Sequence, residues 1–392
     1  MKRIQYAALA ILLIGGLLPA AEAADISARS AVVMDADSGR ILYAHNENEK
    51  RLIASTTKLM TALVALESGH ALDEIVHIAP EWAGVEGSSI YLQTGEDVTL
   101  EALLYGMLLR SGNDAATAVA GYCGGTVENF VAKMNRKAEQ LSMHDSHFEN
   151  PSGLDGERHY STARDMAMLA RACLNNTQLS EIVKTRSITL GTRYFTNHNR
   201  LLWRYEGCVG LKTGYTEKAG RTLVSAAKRG DTTLICVTLS APDDWSDHTK
   251  LLDACFAQYS TREFIRAGER VCRLPTAQSL LPFGPLIAKD TVRVAVSDGD
   301  TLERRLRLNY EVLTAPISKG AVVGSVEWYQ NGELLAETTL ITEIELPRNL
   351  FNKNTLFARW KGFRPEERRE ENRGRATAKT DFGLRSGLPP RG

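Results

Sequence analysis

The sequence has no surplus of charge of either sign: 47 Lys+Arg stand against 47 Asp+Glu in 392 residues. That balance excludes a basic surface built to coat nucleic acid. Outside the N-terminus there is no apolar run long enough to span a bilayer, so a polytopic membrane protein is excluded as well. The six cysteines (Cys123, Cys173, Cys208, Cys236, Cys255 and Cys272) contain no C-x-x-C pair, and no His-rich cluster accompanies them. A zinc site is therefore not expected. No internal repeat is present. What remains is ordinary globular material, 43% hydrophobic and 24% charged, long enough for two or three domains of about 150 residues.

At the N-terminus, Lys2 and Arg3 precede an apolar stretch over 6–18, followed by Pro19 and the small-residue pattern Ala21-Glu22-Ala23. This reads as a secretory signal peptide over 1–23, so the chain is expected outside the cytoplasm. An even number of cysteines in an exported chain permits three disulfides, but their wide spacing fits small buried hydrophobes better.

Two apolar segments, 31–34 and 40–43, flank Asp37-Ser38-Gly39 and predict a β-hairpin. Leu59, Leu63 and Leu66 recur at helical spacing in a run over 55–66 that Ser68-Gly69 ends. A second helix is expected over 100–110 and a third from Asp114, with Ser111-Gly112-Asn113 in the loop between them. Segments 220–227 and 232–239 flank the turn cluster Lys228-Arg229-Gly230-Asp231 and predict another hairpin, followed by a helix over 246–259. Strands at both ends and helices between them indicate one sheet assembled from the two ends around a helical insertion, an α+β arrangement. Beyond about Arg270 short strands and turns dominate, including Asn331-Gly332, the strongest hairpin signal in the chain. The expected organisation is a catalytic domain over 24–265, a small all-β domain over 266–348 and a basic tail over 349–392.

Ser55-Thr56-Thr57-Lys58 opens the first long helix, and a spacing of three puts Ser55 and Lys58 on one helical face. A serine becomes a nucleophile when a neighbouring base takes its proton, and lysine serves as that base when burial or another cation lowers its pKa. The S-x-x-K pattern occurs again at Ser225-Ala226-Ala227-Lys228, but in a strand, where positions three apart face opposite sides. Geometry therefore selects Ser55. Ser111-Gly112-Asn113 adds a hydroxyl and an amide from a loop, and Lys212-Thr213-Gly214 a cation and a hydroxyl just before the hairpin strand, where Gly214 leaves room for a ligand. Taken singly, these motifs are a helix cap and two turns. Taken in order, they form a site.

At these residues the chain resembles the penicillin-binding proteins and serine β-lactamases, which share S-x-x-K, S-x-N and K-T-G motifs. Asn150-Pro151-Ser152-Gly153-Leu154, His159-Tyr160-Ser161-Thr162-Ala163, Leu201-Leu202-Trp203 and Gly210-Leu211 ahead of Lys212 narrow the resemblance to the low-molecular-mass D-alanyl-D-alanine carboxypeptidases. The resemblance implies a β-lactamase/transpeptidase-like catalytic domain, an antiparallel sheet with helices, followed by that family's β-rich C-terminal domain. It implies Ser55 as nucleophile, Lys58 as proton acceptor and Ser111 as proton relay to the departing D-alanine. Asn113 would hold the substrate amide, while Lys212 and Thr213, beside Gly214, would bind the terminal carboxylate. The implied substrate is a peptidoglycan pentapeptide ending in D-Ala-D-Ala, with β-lactams as inhibitors and no metal or organic cofactor.

Two features depart from the pattern. Tyr215 stands where many relatives carry His, and the segment 241–248 lacks the Arg that some place there. Relatives often end in an amphipathic membrane helix; here Leu356, Phe357, Trp360 and Phe363 precede a tail over 353–392 with 11 basic and 5 acidic residues, a candidate for peripheral contact with an anionic membrane surface. The alternatives are a β-lactamase and a β-lactam-binding or wall-binding protein that does not turn over. A class A β-lactamase needs a Glu with Asn four residues later, and none of Glu128, Glu139, Glu149, Glu157, Glu181 and Glu206 has one. Intact Ser55, Lys58, Ser111 and Lys212 argue against a silent binder.

Overall fold

The computed structural model describes residues 25–349. The leader expected over 1–23 and the basic tail over 353–392 lie outside the described residues.

Strands β1 (Ser30–Asp35) and β2 (Ile41–His45) form the expected first hairpin. Six helices follow: α1 (Lys58–Leu66), α2 (Leu100–Leu109), α3 (Asn113–Gly124), α4 (Val127–Gln140), α5 (Ala163–Asn175) and α6 (Thr177–Lys184). Strands β3 (Cys208–Thr216), β4 (Gly220–Arg229) and β5 (Thr232–Leu239) come next, then helix α7 (Asp244–Gln258). The five strands make one antiparallel sheet in the order β2-β1-β5-β4-β3. The two chain ends thus build the sheet and the helices between them form an insertion, as the sequence pattern predicts.

Both faces of this sheet are covered, which explains why the middle of β1 (31–34) and of β5 (234–237) is apolar without interruption. Val32, Met34, Ile235 and Val237 point into the core beneath α1–α6, while Ala31, Val33, Leu234 and Cys236 point into a second core that includes Leu251 and Leu252 of α7. Strand alternation sends neighbouring residues to opposite layers. Helix α1 lies deepest: every residue from Lys58 to Ala65 is buried. A helix apolar on nearly all sides belongs inside a core, and each buried Leu in it contributes about 1.5–3 kcal/mol. Its first turn is consequently a rigid platform. Helices α2, α4 and α5 start on threonines (Thr99, Thr126 and Thr162) whose hydroxyls accept amide hydrogens of the first turn.

Two local expectations change. Ser55 sits not in the α-helix but in a 3-10 turn, Ala54–Thr57, that leads into it. Lys212-Thr213-Gly214 lies inside edge strand β3 rather than in a turn before it, the reversal falling after Thr216. Glycine read as a turn signal here marks a close backbone approach within a strand.

The second unit is all-β. Strand β6 (Ser260–Ile265) pairs with β9 (Val292–Val296). Strands β7 (Arg270–Ala277), β8 (Phe283–Ala288), β10 (Leu302–Leu308), β11 (Leu313–Thr314), β12 (Val322–Gln330) and β13 (Glu333–Thr342) form a six-stranded sheet in the order β10-β12-β13-β8-β7-β11. Residues 260–265, ahead of the boundary expected at 265/266, thus pair with this unit and contribute Ile265 to its core. Asn331 and Gly332 connect β12 and β13 with φ of 51° and 85°, the two left-handed residues that a tight hairpin turn requires. Arg40, just before β2, joins the units: its guanidinium donates to the Ala295 carbonyl, Asp300 and Gln330, each at 2.7 Å. The junction lies at the β1–β2 side of the sheet, opposite the edge formed by β3.

All six cysteines are free thiols, four of them buried. None is paired in a disulfide. Among the described residues no group of His, Cys, Asp and Glu could hold a metal ion, and no helix is long and apolar enough to cross a membrane.

Candidate active site

The motifs from three distant parts of the chain meet at edge strand β3. Lys58 is fully buried, and its Nζ lies 2.9 Å from Ser55 Oγ, 2.7 Å from Asn113 Oδ1 and 2.5 Å from the Ser152 carbonyl. Lys212, only 1% exposed, places its Nζ 3.1 Å from Ser111 Oγ and 2.8 Å from the Thr213 carbonyl. Ser55, Ser111, Thr213 and Gly214 line one cleft of about 460 Å3, together with Ser88, His198, Arg200, Tyr215, Arg221 and Trp245. All seven residues singled out in the sequence therefore converge.

Burying two amines is expensive unless at least one is neutral. Burial pulls Lys58 well below the ordinary lysine range, and the charge of Lys212 pulls it further, against a smaller opposing effect of Asp114. Burial alone lowers Lys212 to about 7. A neutral Lys58 has two N–H groups and one lone pair. Asn113 Oδ1 and the Ser152 carbonyl can accept only those N–H groups, which leaves the lone pair for the Ser55 hydroxyl proton.

Backbone strain holds the reacting groups in place. Ala54, immediately before Ser55, has φ 46°, and Ser111 has φ 64°. Each left-handed non-glycine residue costs about 1–2 kcal/mol, and such strain concentrates at functional sites. A Cβ added at Gly214 would come within 2.4 Å of Thr222 Oγ1, 2.9 Å of Ser55 N and 3.1 Å of Thr56 N. Only glycine lets the edge strand approach the Ser55 turn so closely and leaves the Ser55 amide uncovered.

Several supporting residues were given no role by the sequence, although residues 150–153 and His159 lie in segments that carry the family resemblance. The Ser152 carbonyl that accepts from Lys58 comes from a turn in which Asn150 Oδ1 accepts the amides of Ser152 and Gly153. His159, buried and lowered to about 4 chiefly by desolvation, accepts the Glu149 amide on Nδ1 at 3.1 Å. Its Nε2 therefore carries the proton and donates to Thr57 Oγ1 at 2.8 Å. Asp114 anchors the loop across the cleft by accepting from the Ser89 hydroxyl and the amides of Ile90 and Leu92. Asn113 donates Nδ2 to the Glu86 carbonyl at 2.6 Å, so both ends of its amide are engaged. The rejected serine, Ser225, is wholly buried with Oγ 2.6 Å from His248 Nδ1, away from any lysine amine.

Comparison with known proteins gives a consistent result. The profile of D-alanyl-D-alanine carboxypeptidases matches residues 18–243, and that of the C-terminal domain of penicillin-binding protein 5 matches residues 259–348. The chain is 33% identical to the D-alanyl-D-alanine carboxypeptidase DacF of Bacillus subtilis, over 82% of this chain and 86% of the relative. It is 34% identical to DacC of Escherichia coli, over 82% and 84%. Among solved structures, penicillin-binding protein 5 of Haemophilus influenzae superposes with a TM-score of 0.73 at 30% identity, covering 82% of this chain and 98% of the other.

Proposed function

The chain belongs to the D-alanyl-D-alanine carboxypeptidase family, and from that premise we propose that it removes the terminal D-alanine of peptidoglycan pentapeptides through an acyl-enzyme on Ser55. The supporting observation is the Lys58 amine, buried, lowered in pKa and 2.9 Å from the Ser55 hydroxyl. Family membership favours a peptidase that turns over, and one that binds penicillin, above a β-lactamase or a silent binder.

In this reading Ser55 Oγ attacks the carbonyl between the two D-alanines while its proton passes to Lys58 Nζ. The oxyanion is received at the Ser55 amide, which Gly214 leaves uncovered. The C–N bond then breaks, and Ser111 relays a proton to the departing amine. Lys212 and Thr213 hold the terminal carboxylate, and Asn113 exchanges its Glu86 contact for the substrate amide. Water cleaves the ester, returning Ser55 and the shortened peptide. The expected leader and the proposed cell-wall substrate support a reaction outside the cytoplasm.

The test is incubation with a pentapeptide ending in D-Ala-D-Ala, measuring free D-alanine, in parallel with labelled penicillin. Release of D-alanine together with labelling is the expected outcome. Labelling without release would identify a silent binder instead.

A pH profile tests the electrostatics. Lys212, lowered to about 7, is charged below that pH and neutral above it. Because kcat/KM reports the free enzyme, its value for a peptide with a free carboxylate should fall above about pH 7. Lys212→Arg, whose side chain keeps its proton, should remove that alkaline limb. An unchanged limb in the variant would assign it to another group.

A further inference from the structure

The far end of the β unit carries apolar side chains that its own core does not use. The loop between β7 and β8 reads Gln278-Ser279-Leu280-Leu281-Pro282, and Leu280, Leu281 and the following Phe283 are 66%, 37% and 43% exposed. No charged residue occurs over 274–288. Exposed Val312 leads into β11, which pairs with Thr276 and Ala277 just before the loop. Apolar side chains gathered on one loop, unlike single ones scattered over a surface, mark a contact site.

The backbone of this loop suits a medium poor in water. The Thr276 amide and hydroxyl donate to the carbonyls of Pro282 and Leu281, and the Leu281 amide donates to Ser279 Oγ at 3.2 Å. The Asn349 amide donates to the Gln278 carbonyl at 2.6 Å, and Pro282 has no N–H to satisfy. A protein partner can supply hydrogen bonds to a loop, whereas lipid cannot, so backbone groups tied internally favour lipid. Two exposed arginines flank the apolar residues: Arg273, whose Cζ lies 4.7 Å from the Phe283 ring centroid, and Arg348, which bridges to Ser279. Apolar side chains beside cations match the headgroup boundary of an anionic membrane.

The loop also lies at the right end of the molecule. Strand β13 starts beside Gln330, which accepts from Arg40 of the catalytic unit. From there the chain runs up to about 50 Å in extended form, through the pairings of Leu346 with Ile317 and Arg348 with Ser279. It leaves the described residues beside the loop, and the sequence that follows holds Leu350, Phe351, Phe357 and Trp360 and the 11 basic and 5 acidic residues of 353–392.

We propose that Leu280, Leu281 and Phe283 form a membrane-contact loop, which dips into the lipid headgroup boundary beside the start of the basic tail. The catalytic unit, at the other end of the β unit, is then held away from the lipid. Charge on the tail and apolar insertion by the loop reinforce each other in such peripheral attachment.

The experiment measures co-sedimentation of the chain 24–392 with vesicles of phosphatidylglycerol and phosphatidylcholine, at low and high salt, for wild type and Leu280→Ser/Leu281→Ser. Salt screens the charge of the tail but not apolar burial, so wild type should keep a salt-resistant part of its binding. The double variant should lose that part, about tenfold or more in partition coefficient, the scale of withdrawing two leucine side chains, with its unfolding temperature unchanged. Equal binding by both proteins at high salt, or no binding by wild type, would overturn the proposal. A wild type that sediments as a dimer without lipid, beside a monomeric variant, would assign the loop to a second copy of the chain. Proteolysis of the tail that is blocked in wild type and released in the variant, without lipid, would assign the loop to the tail. Either result would also overturn the proposal, and none of these outcomes bears on the catalytic reading.

Discussion

Ser55→Ala should lose penicillin labelling and D-alanine release together, with turnover falling by at least about ten-thousandfold, the scale seen when a serine nucleophile is removed. Ser55 Oγ lies on the one face of Lys58 that remains for a hydroxyl once Asn113 and Ser152 have taken its two hydrogens. Ser111 cannot substitute for it. Its hydroxyl contacts Lys212, which is lowered only to about 7 and is substantially protonated at neutral pH. The second S-x-x-K pattern supplies the control: Ser225 is enclosed with His248 and has no route to solvent. Ser225→Ala should keep both activities. Labelling that survived in Ser55→Ala would move the nucleophile elsewhere.

Lys58→Arg should reduce acylation at least about a hundredfold, the ordinary scale for loss of a general base. Arginine keeps a cation where the wild-type enzyme holds a neutral amine, and its guanidinium cannot take the Ser55 proton. The substitution also places a permanent charge in a fully buried position within the field of Lys212, so thermal stability should fall. Lys58→Met separates the two effects: it removes the base without adding a charge. Its acylation should be as poor as that of Lys58→Arg while its unfolding temperature stays higher. Near-normal acylation in Lys58→Met would exclude Lys58 as the base.

What the sequence made legible follows from periodicity. The unbroken apolar runs of β1 and β5 and the hairpin turns at their ends announce a sheet built from both chain ends. Spacing of three on a helical run singles out Ser55 over Ser225, and the structure separates the two as that argument requires. What periodicity does not encode is local departure from regular backbone. Ala54 and Ser111 adopt left-handed conformations that their residue types do not announce, so Ser55 appeared as the start of an α-helix when it belongs to a 3-10 turn. Gly214 appeared as part of a turn because glycine usually punctuates, although it permits contact between a strand and the Ser55 amide.

The segments of Ser152 and His159 stand out in the sequence by family resemblance, but the contacts they make do not. The Ser152 carbonyl acts through its backbone, His159 supports Thr57 across 102 residues, and Asp114 gathers amides from a loop that no motif marks. Arg221 lies outside every motif, and only the fold lays it beside Asp244 of the segment 241–248. In each case the spatial partner, which no local pattern encodes, supplied the role.

The central claim, that a neutral Lys58 activates Ser55 for acyl transfer, is tested most directly by locating the acyl group. The native protein is incubated with benzylpenicillin, its intact mass is measured, and the adduct is mapped after proteolysis. The account predicts a single penicilloyl group, carried by the peptide that contains Ser55 and attached to that residue. A penicilloyl group on any other residue, or D-alanine release from a protein that acquires none, would contradict it.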